Sequence, residues 1–211
     1  MADARAINPE VVAEIANLVK TTLDGINDQF DVLQKSVLDP IKEHWYNENA
    51  LKVMPGATQN LNKVDEGVNL SLESLGSALG AAVNTWSAAN GGSYSINPIA
   101  AAIKNMVCDV TDNKGGFRGL DVDDIQTAIN QAEQAKAAMI EKLTTLQQAG
   151  EREGFRGGAM QARLNEVCSS LKQQINTAVD NVITDITTNT GTAKSNVESA
   201  TSSTESTFQI K

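Results

Sequence analysis

The sequence lacks any run of lysine and arginine, and its 17 basic residues are outnumbered by 26 acidic ones, for a formal charge of −9. Nucleic acids and anionic membrane surfaces both call for a clustered basic face, so neither is an expected partner. Histidine occurs once, at His44, which excludes a histidine-based metal cluster and leaves one candidate for a Ser/His/Asp arrangement. Lying beside Trp45 at an expected turn, it reads as a surface or capping residue. Cys108 and Cys168 are too few for a disulfide scaffold and lack the short spacing of zinc ligands. They read as two semi-buried free thiols, with a single bridge as the alternative. Aromatics make up 4% of the chain and prolines number four, which favours a helical protein over a sandwich or barrel.

Long apolar runs are missing too. "LGSALGAAVNTWSAA" is too short and polar to span a bilayer, and "MADARAINPEVVAEI" lacks the basic start and apolar stretch of a signal peptide. "NKGGFRG" has no Gly-Lys-Ser/Thr to hold a phosphate and reads as a hinge. Asp121-Val122-Asp123-Asp124 lacks the late glutamate of a calcium loop, and acidic residues there suit the positive end of a helix dipole. No catalytic, cofactor or metal site is expected, and the chain is not read as an enzyme.

What the sequence does contain is helical periodicity. Asn8-Pro9 forms a start signal, Asn as cap and Pro at a position whose N–H is unpaired in any helix. Val12, Ile15, Val19, Leu23, Ile26, Phe30, Leu33, Val37 and Ile41 then alternate steps of three and four, one stripe along a helix of about 30 residues. Asp39-Pro40 should end or kink it. After a turn region "EHWYNENALKVMPG", a second stripe beyond Pro55-Gly56 runs Leu61, Val64, Val68, Leu72, Leu75, Leu79, Ala82, Trp86. Gly67, Gly76 and Gly80 weaken this helix but permit a close partner backbone.

"NGGSYSINP" (90–98) reads as a linker, and Ile96-Asn97-Pro98 repeats Ile7-Asn8-Pro9. "INPIAAAIKNMV" matches "INPEVVAEIANLV" with one residue dropped, which predicts a short helix through about Val110. Beyond the glycine-rich turn "DNKGGFRGLD", a second hairpin carries Ile125, Ile129, Ala132, Lys136, Met139, Leu143 and Leu146. Its return helix carries Met160, Leu164, Val167, Leu171, Ile175, Ala178, Val182 and Ile186. From Thr187 the polar tail, with Val197, Phe208 and Ile210 as its few anchors, reads as frayed helix or disorder. The expected fold is all-α: two tandem helical hairpins, residues 1–95 and 96–211, with a short linker helix and a weakly ordered C-terminal tail. Neither hairpin can bury its stripe alone, so the two should pack as one elongated four-helix bundle.

The second hairpin tip reads Phe155-Arg156-Gly157-Gly158-Ala159-Met160-Gln161-Ala162 and the first Trp45-Tyr46-Asn47. Taken physically, an aromatic at a rigid tip is either a plug over the end of the core or an anchor offered to a partner. The pattern resembles the Trp-x-Gly turn of the WXG family, helical-hairpin substrates of type VII secretion, in two tandem copies. Phe155 stands at the Trp position, Gly157 at the Gly, and Ala159 and Ala162 at the small positions. At the first tip Trp45 is the aromatic, Asn47 replaces the Gly, and Ala50 lies one place late. The family's Tyr-x-x-x-Asp/Glu signal has no match, since Tyr46 is followed four later by Ala50 and Tyr94 by Pro98.

The resemblance implies a fused hairpin pair, hence a monomer, that reaches the cell surface or medium from the cytoplasm without a signal peptide. It also implies recognition tips at Trp45, Asn47, Phe155, Gly157 and Ala159, and a protein partner, either a secretion ATPase or a co-secreted helical protein. Two other classes stay open: a structural subunit of another secretion, flagellar or phage assembly, and a membrane-active bundle inserting "LGSALGAAV".

Overall fold

The computed structural model describes residues 7–115, 119–156 and 158–208. It is mostly helical: α1 (Pro9–Leu33), a π-helical turn (Gln34–Leu38), α2 (Asp39–His44), β1 (Trp45–Tyr46), α3 (Glu48–Asn90), β2 (Gly119–Leu120), α4 (Val122–Ala149) and α5 (Ala159–Phe208). As the sequence predicts, α1 opens at Pro9, with Asn8 Oδ1 accepting the Glu10 N–H at 3.0 Å. Every residue of the first stripe, Val12 to Ile41, is buried. The kink expected at Pro40 takes the form of one wider turn. Proline cannot donate to the Ser36 carbonyl, and the preceding residues wind so that the Asp39 N–H reaches Gln34 O instead.

Three expectations need correction. First, α3 starts at Glu48 rather than beyond Pro55, which lies inside it. Leu51, Lys52, Pro55 and Gly56 are exposed, so water can satisfy the carbonyl that the proline leaves unpaired. Second, the linker helix is absent: residues 92–110 are extended and irregular. Third, Trp86 is 41% exposed, while Val83 takes the buried position near that end of the stripe. The tail continues α5 as helix to Phe208, and beyond Ile186 the only buried side chain among the described residues is Ala193.

The chain forms two compact units, and each takes in segments from both sides of residue 95. The first comprises 1–31, 62–105 and 135–177. Its buried residues include Ile15, Val19, Leu23 and Ile26 of α1, Val68 and Leu72 of α3, Met139 and Leu143 of α4, and Leu164, Leu171 and Ile175 of α5. Within it α1 meets α3 through a buried reciprocal amide pair. Asn27 Nδ2 donates to Asn69 Oδ1 at 3.2 Å, and Asn69 Nδ2 donates to Asn27 Oδ1 at 2.9 Å. The Lys142 side chain of α4 lies over Gly25 of α1, and Gln174 of α5 faces Gly67 of α3. Lys172 of α5 donates to Gln147 of α4.

Residues 93–105 cross this unit as an extended strap. Asn17 holds it at both main-chain groups, donating to Ser95 O at 3.1 Å and accepting the Asn97 N–H at 2.8 Å. Asn69 Oδ1 accepts the Ala102 N–H at 2.8 Å, and Asp65 Oδ2 the Lys104 N–H at 2.6 Å. These side-chain bonds, together with Pro98, replace the ladder that the predicted helix would have supplied. Gly76 and Gly80 of α3 admit Ile99 and Ile96 of the strap: a Cβ at Gly76 would lie 3.0 Å from Ile99 Cγ2. The close partner that the glycines allow is therefore a side chain, not a helix backbone.

The second unit comprises 32–61, 106–134 and 178–211. Leu33, Val37, Ile41, Trp45, Met54 and Leu61 are buried in it, with Ile125 and Ala132 of α4 and Val182 and Ile186 of α5. Gln34 binds both main-chain groups of Val107, donating to its carbonyl at 2.9 Å and accepting its N–H at 2.8 Å. Met106 and Cys108 on either side are buried.

Candidate functional site: the two tips

The first tip lies in the second unit. α2 ends where Trp45 turns to an extended conformation (φ −128°, ψ 97°). Asn47 then organises the reversal. Its Oδ1 accepts the Asn49 and Ala50 N–H groups at 2.9 and 3.1 Å, capping α3, and also the Trp45 indole N–H at 3.0 Å. Asn47 therefore does more than replace a turn glycine, because it couples a helix cap to the aromatic ring. Trp45 is fully buried, as is Ala50.

Residues 45–46 pair antiparallel with 119–120, Trp45 opposite Leu120 and Tyr46 opposite Gly119. The Tyr46 ring lies on Gly119 so closely that a Cβ there would come within 2.9 Å of it. The ladder continues with the Asp121 N–H donating to His44 O at 2.9 Å. Asp121 Oδ1 accepts the Asp123 and Asp124 N–H groups and so caps α4, in addition to the favourable placement of acidic residues at the helix dipole.

His44 Nδ1 lies 3.0 Å from Asp124 Oδ2, and the ligand atoms of His44, Asp121 and Asp124 all fall within 4.8 Å of one another. The sequence excluded a histidine metal cluster on residue count, yet the fold brings the single histidine to two carboxylates some 80 residues away. That separation hides the grouping from any spacing pattern. Two features oppose a cation there: one Asp121 oxygen already accepts two N–H groups, and the positive end of the α4 dipole points at the site. The cluster serves as a contact between His44 and Asp124 plus a helix cap.

The second tip lies in the first unit. After α4 the chain turns through Gly150 to Arg156, with the Phe155 N–H donating to Arg152 O at 3.1 Å. Gly154 adopts φ +88°, and its carbonyl accepts the Asn8 N–H at 2.9 Å. A Cβ on Gly154 would meet Asn8 Cβ at 2.6 Å, so both conformation and space require glycine. Gly157, singled out from the sequence, lies outside the described residues. Gly158 O accepts the Ala162 N–H, and α5 begins at Ala159, which is exposed. Phe155 is 3% exposed. Arg152 pairs with Glu14 at 2.6 Å and ties the tip to α1.

Of the sequence-derived tip residues, both aromatics are therefore plugs, their rings turned into the cores of their own units. What the second tip leaves outward is small or polar, as with Arg156 and Ala159. Beside the first tip a hollow of about 400 Å³ opens between Asn47, Glu48, Asn49, Gly119, Leu120, Ala193 and Asn196.

Both cysteines are free and buried. Burial pushes the Cys108 thiol up to about 12 and the Cys168 thiol up to about 11, so neither offers a thiolate near neutral pH. No helix among the described residues is long and apolar enough to cross a membrane. No family model, curated protein or solved structure matches the chain.

Proposed function

We propose that this chain is a non-enzymatic, secretion-associated helical protein of the type VII class, a fused pair of WXG-like hairpins acting through contacts with a secretion ATPase or a co-secreted helical partner. In this reading α1 with α3, and α4 with α5, are two hairpins packed as one four-helix bundle. The chain is a monomer, made in the cytoplasm and carried to the surface or medium by the type VII machinery. The observation that carries it is the pair of tips: each joins two long helices through a short turn whose aromatic, Trp45 or Phe155, is seated in the core. The packing of α1 against α3 and α4, and of α5 against α3 and α4, within the first unit supports the bundle. Because the rings face inward, the partner reads the outer rim of the tip, Arg156 and Ala159.

The test is expression in a bacterium with an intact type VII machinery and in its ATPase-deficient derivative. The chain should appear in the medium only with the ATPase, and Ala159→Arg should retain it in the cell without lowering its melting temperature. Equal amounts in both media, or retention by both hosts while a resident substrate is exported, overturns the reading.

A further inference from the structure

The strap presents a conflict between local preference and observed conformation. Ala100-Ala101-Ala102-Ile103-Lys104 is a strong helix-forming sequence, alanine being the best former of all. Nevertheless the segment is extended, and Asn105 is the only non-glycine with positive φ among the described residues, at 52°. Conflicts of this kind concentrate at functional elements, because a chain optimised only for stability would let local and global preferences agree.

The surface beneath it is built to read main chain. Asn17 takes a C=O and an N–H two residues apart, Asn69 takes one N–H and Asp65 another. Asp65 and Asn69 are fully buried, an arrangement without use to an apolar core unless their outward oxygens meet donors. Side-chain selectivity comes from two notches over Gly80 and Gly76, filled by Ile96 and Ile99 three residues apart. Most strap residues are exposed on their other side. The grip is thus a few partly solvated hydrogen bonds, the ion pair of Lys104 with Asp31 of α1 at 3.0 Å and two half-buried isoleucines, the kind of element that opens locally while the helices stay folded.

We propose that α1 and α3 form a groove that binds an extended polypeptide segment, that the strap occupies it in cis, and that a partner's extended segment with two branched apolar residues three apart takes the strap's place. The released strap then relaxes toward the helix its sequence prefers, which offsets part of the cost of displacement. Main-chain bonds supply affinity and the glycine notches supply selectivity, the same division of labour as when a peptide adds to a sheet edge. This binding is independent of export and would operate in a chain that never leaves the cell.

The experiment uses the full chain and a labelled synthetic peptide of residues 92–105, GSYSINPIAAAIKN. Ile96→Ser with Ile99→Ser frees the notches. Gly76→Cys with Ile99→Cys locks the strap by a disulfide, and buried, protonated Cys108 and Cys168 do not compete for it. The serine variant should bind the peptide at least ten-fold more tightly than wild type and gain helical circular dichroism. Adding Asn17→Ala should reverse that gain in affinity, and the locked protein should bind only after reduction. A folded serine variant that binds no better than wild type overturns the proposal. If that variant fails to fold, hydrogen exchange of the wild type decides: the Asn97, Ala102 and Lys104 amides should exchange by local opening, faster than the α3 core. Exchange of those amides only with global unfolding makes the strap a fixed part of the fold and overturns the groove.

Discussion

Asn47→Gly would complete Trp-x-Gly at the first tip, and it should destabilise the protein. The Asn47 side-chain oxygen, Oδ1, accepts from Asn49, Ala50 and the Trp45 indole. Loss of the cap alone is mild, because glycine in place of asparagine at an N-cap costs only a few tenths of a kcal/mol. The indole is the larger loss: Trp45 is fully buried, and a buried donor left without an acceptor costs about 1–3 kcal/mol. Together these give roughly 1.5–3.5 kcal/mol. For a chain of this size that corresponds to a fall in melting temperature of roughly 3–14 °C. Urea unfolding of wild type, Asn47→Gly, Trp45→Phe and the double variant completes the cycle. With phenylalanine at 45 the donor is gone, so Asn47→Gly should then cost only its cap, leaving a coupling of about 1 kcal/mol or more. Asn47→Gly within about 0.5 kcal/mol of wild type, or additive single changes, would refute the indole–cap link.

At the second tip, Phe155→Ala empties a site only 3% exposed and should cost roughly 3–5 kcal/mol in denaturant unfolding; a change under about 1 kcal/mol would mean that the ring is not a plug. Burial raises the Asp65 carboxyl above its ordinary 3.8, although the Lys104 and Asn105 N–H groups pull it the other way. The stability this shift contributes is fully present below 3.8 and is lost as pH rises through the folded value, so wild type should lose ground to Asp65→Asn as pH rises above 3.8; a flat or widening advantage of wild type refutes the shift. Cys108 and Cys168 should resist iodoacetamide at pH 8 in the native protein and react within minutes in guanidinium; rapid native labelling of either would contradict their burial. Light scattering should give a mass near 22.4 kDa, and a stable mass of twice that counts against the fused pair.

Much of the fold was legible because an amphipathic helix writes its buried face into the chain as a period. The α1 stripe was readable residue by residue, and so was its start at Asn8-Pro9. The stripe failed at Trp86, where period alone cannot tell which of two neighbouring faces the tertiary structure covers. The strap was misread because its sequence carries helix propensity, while the acceptors that hold it extended sit at Asn17, Asn69 and Asp65, each more than 30 residues away. At the tips the aromatics were found, but the left-handed tip glycine among the described residues is Gly154, whose need is set by contact with Asn8. The grouping of His44 with Asp121 and Asp124 left no sequence signal.

By itself the sequence determined local features: helical class, the positions of the long stripes, the Asn8-Pro9 helix start, and the lack of a lysine–arginine run or of an apolar run long enough to span a membrane. These follow from local properties, a backbone angle, a side-chain acceptor two or three residues off, an apolar residue every third or fourth place. The tertiary structure decided the rest: that Trp45 and Phe155 turn inward, that residues 93–105 stay extended against their own propensity, and that buried Asp65 and Asn69 spend their acceptors on a strap. Those outcomes depend on partners distant in sequence, and an isolated segment carries no information about which distant donor or cavity will meet it.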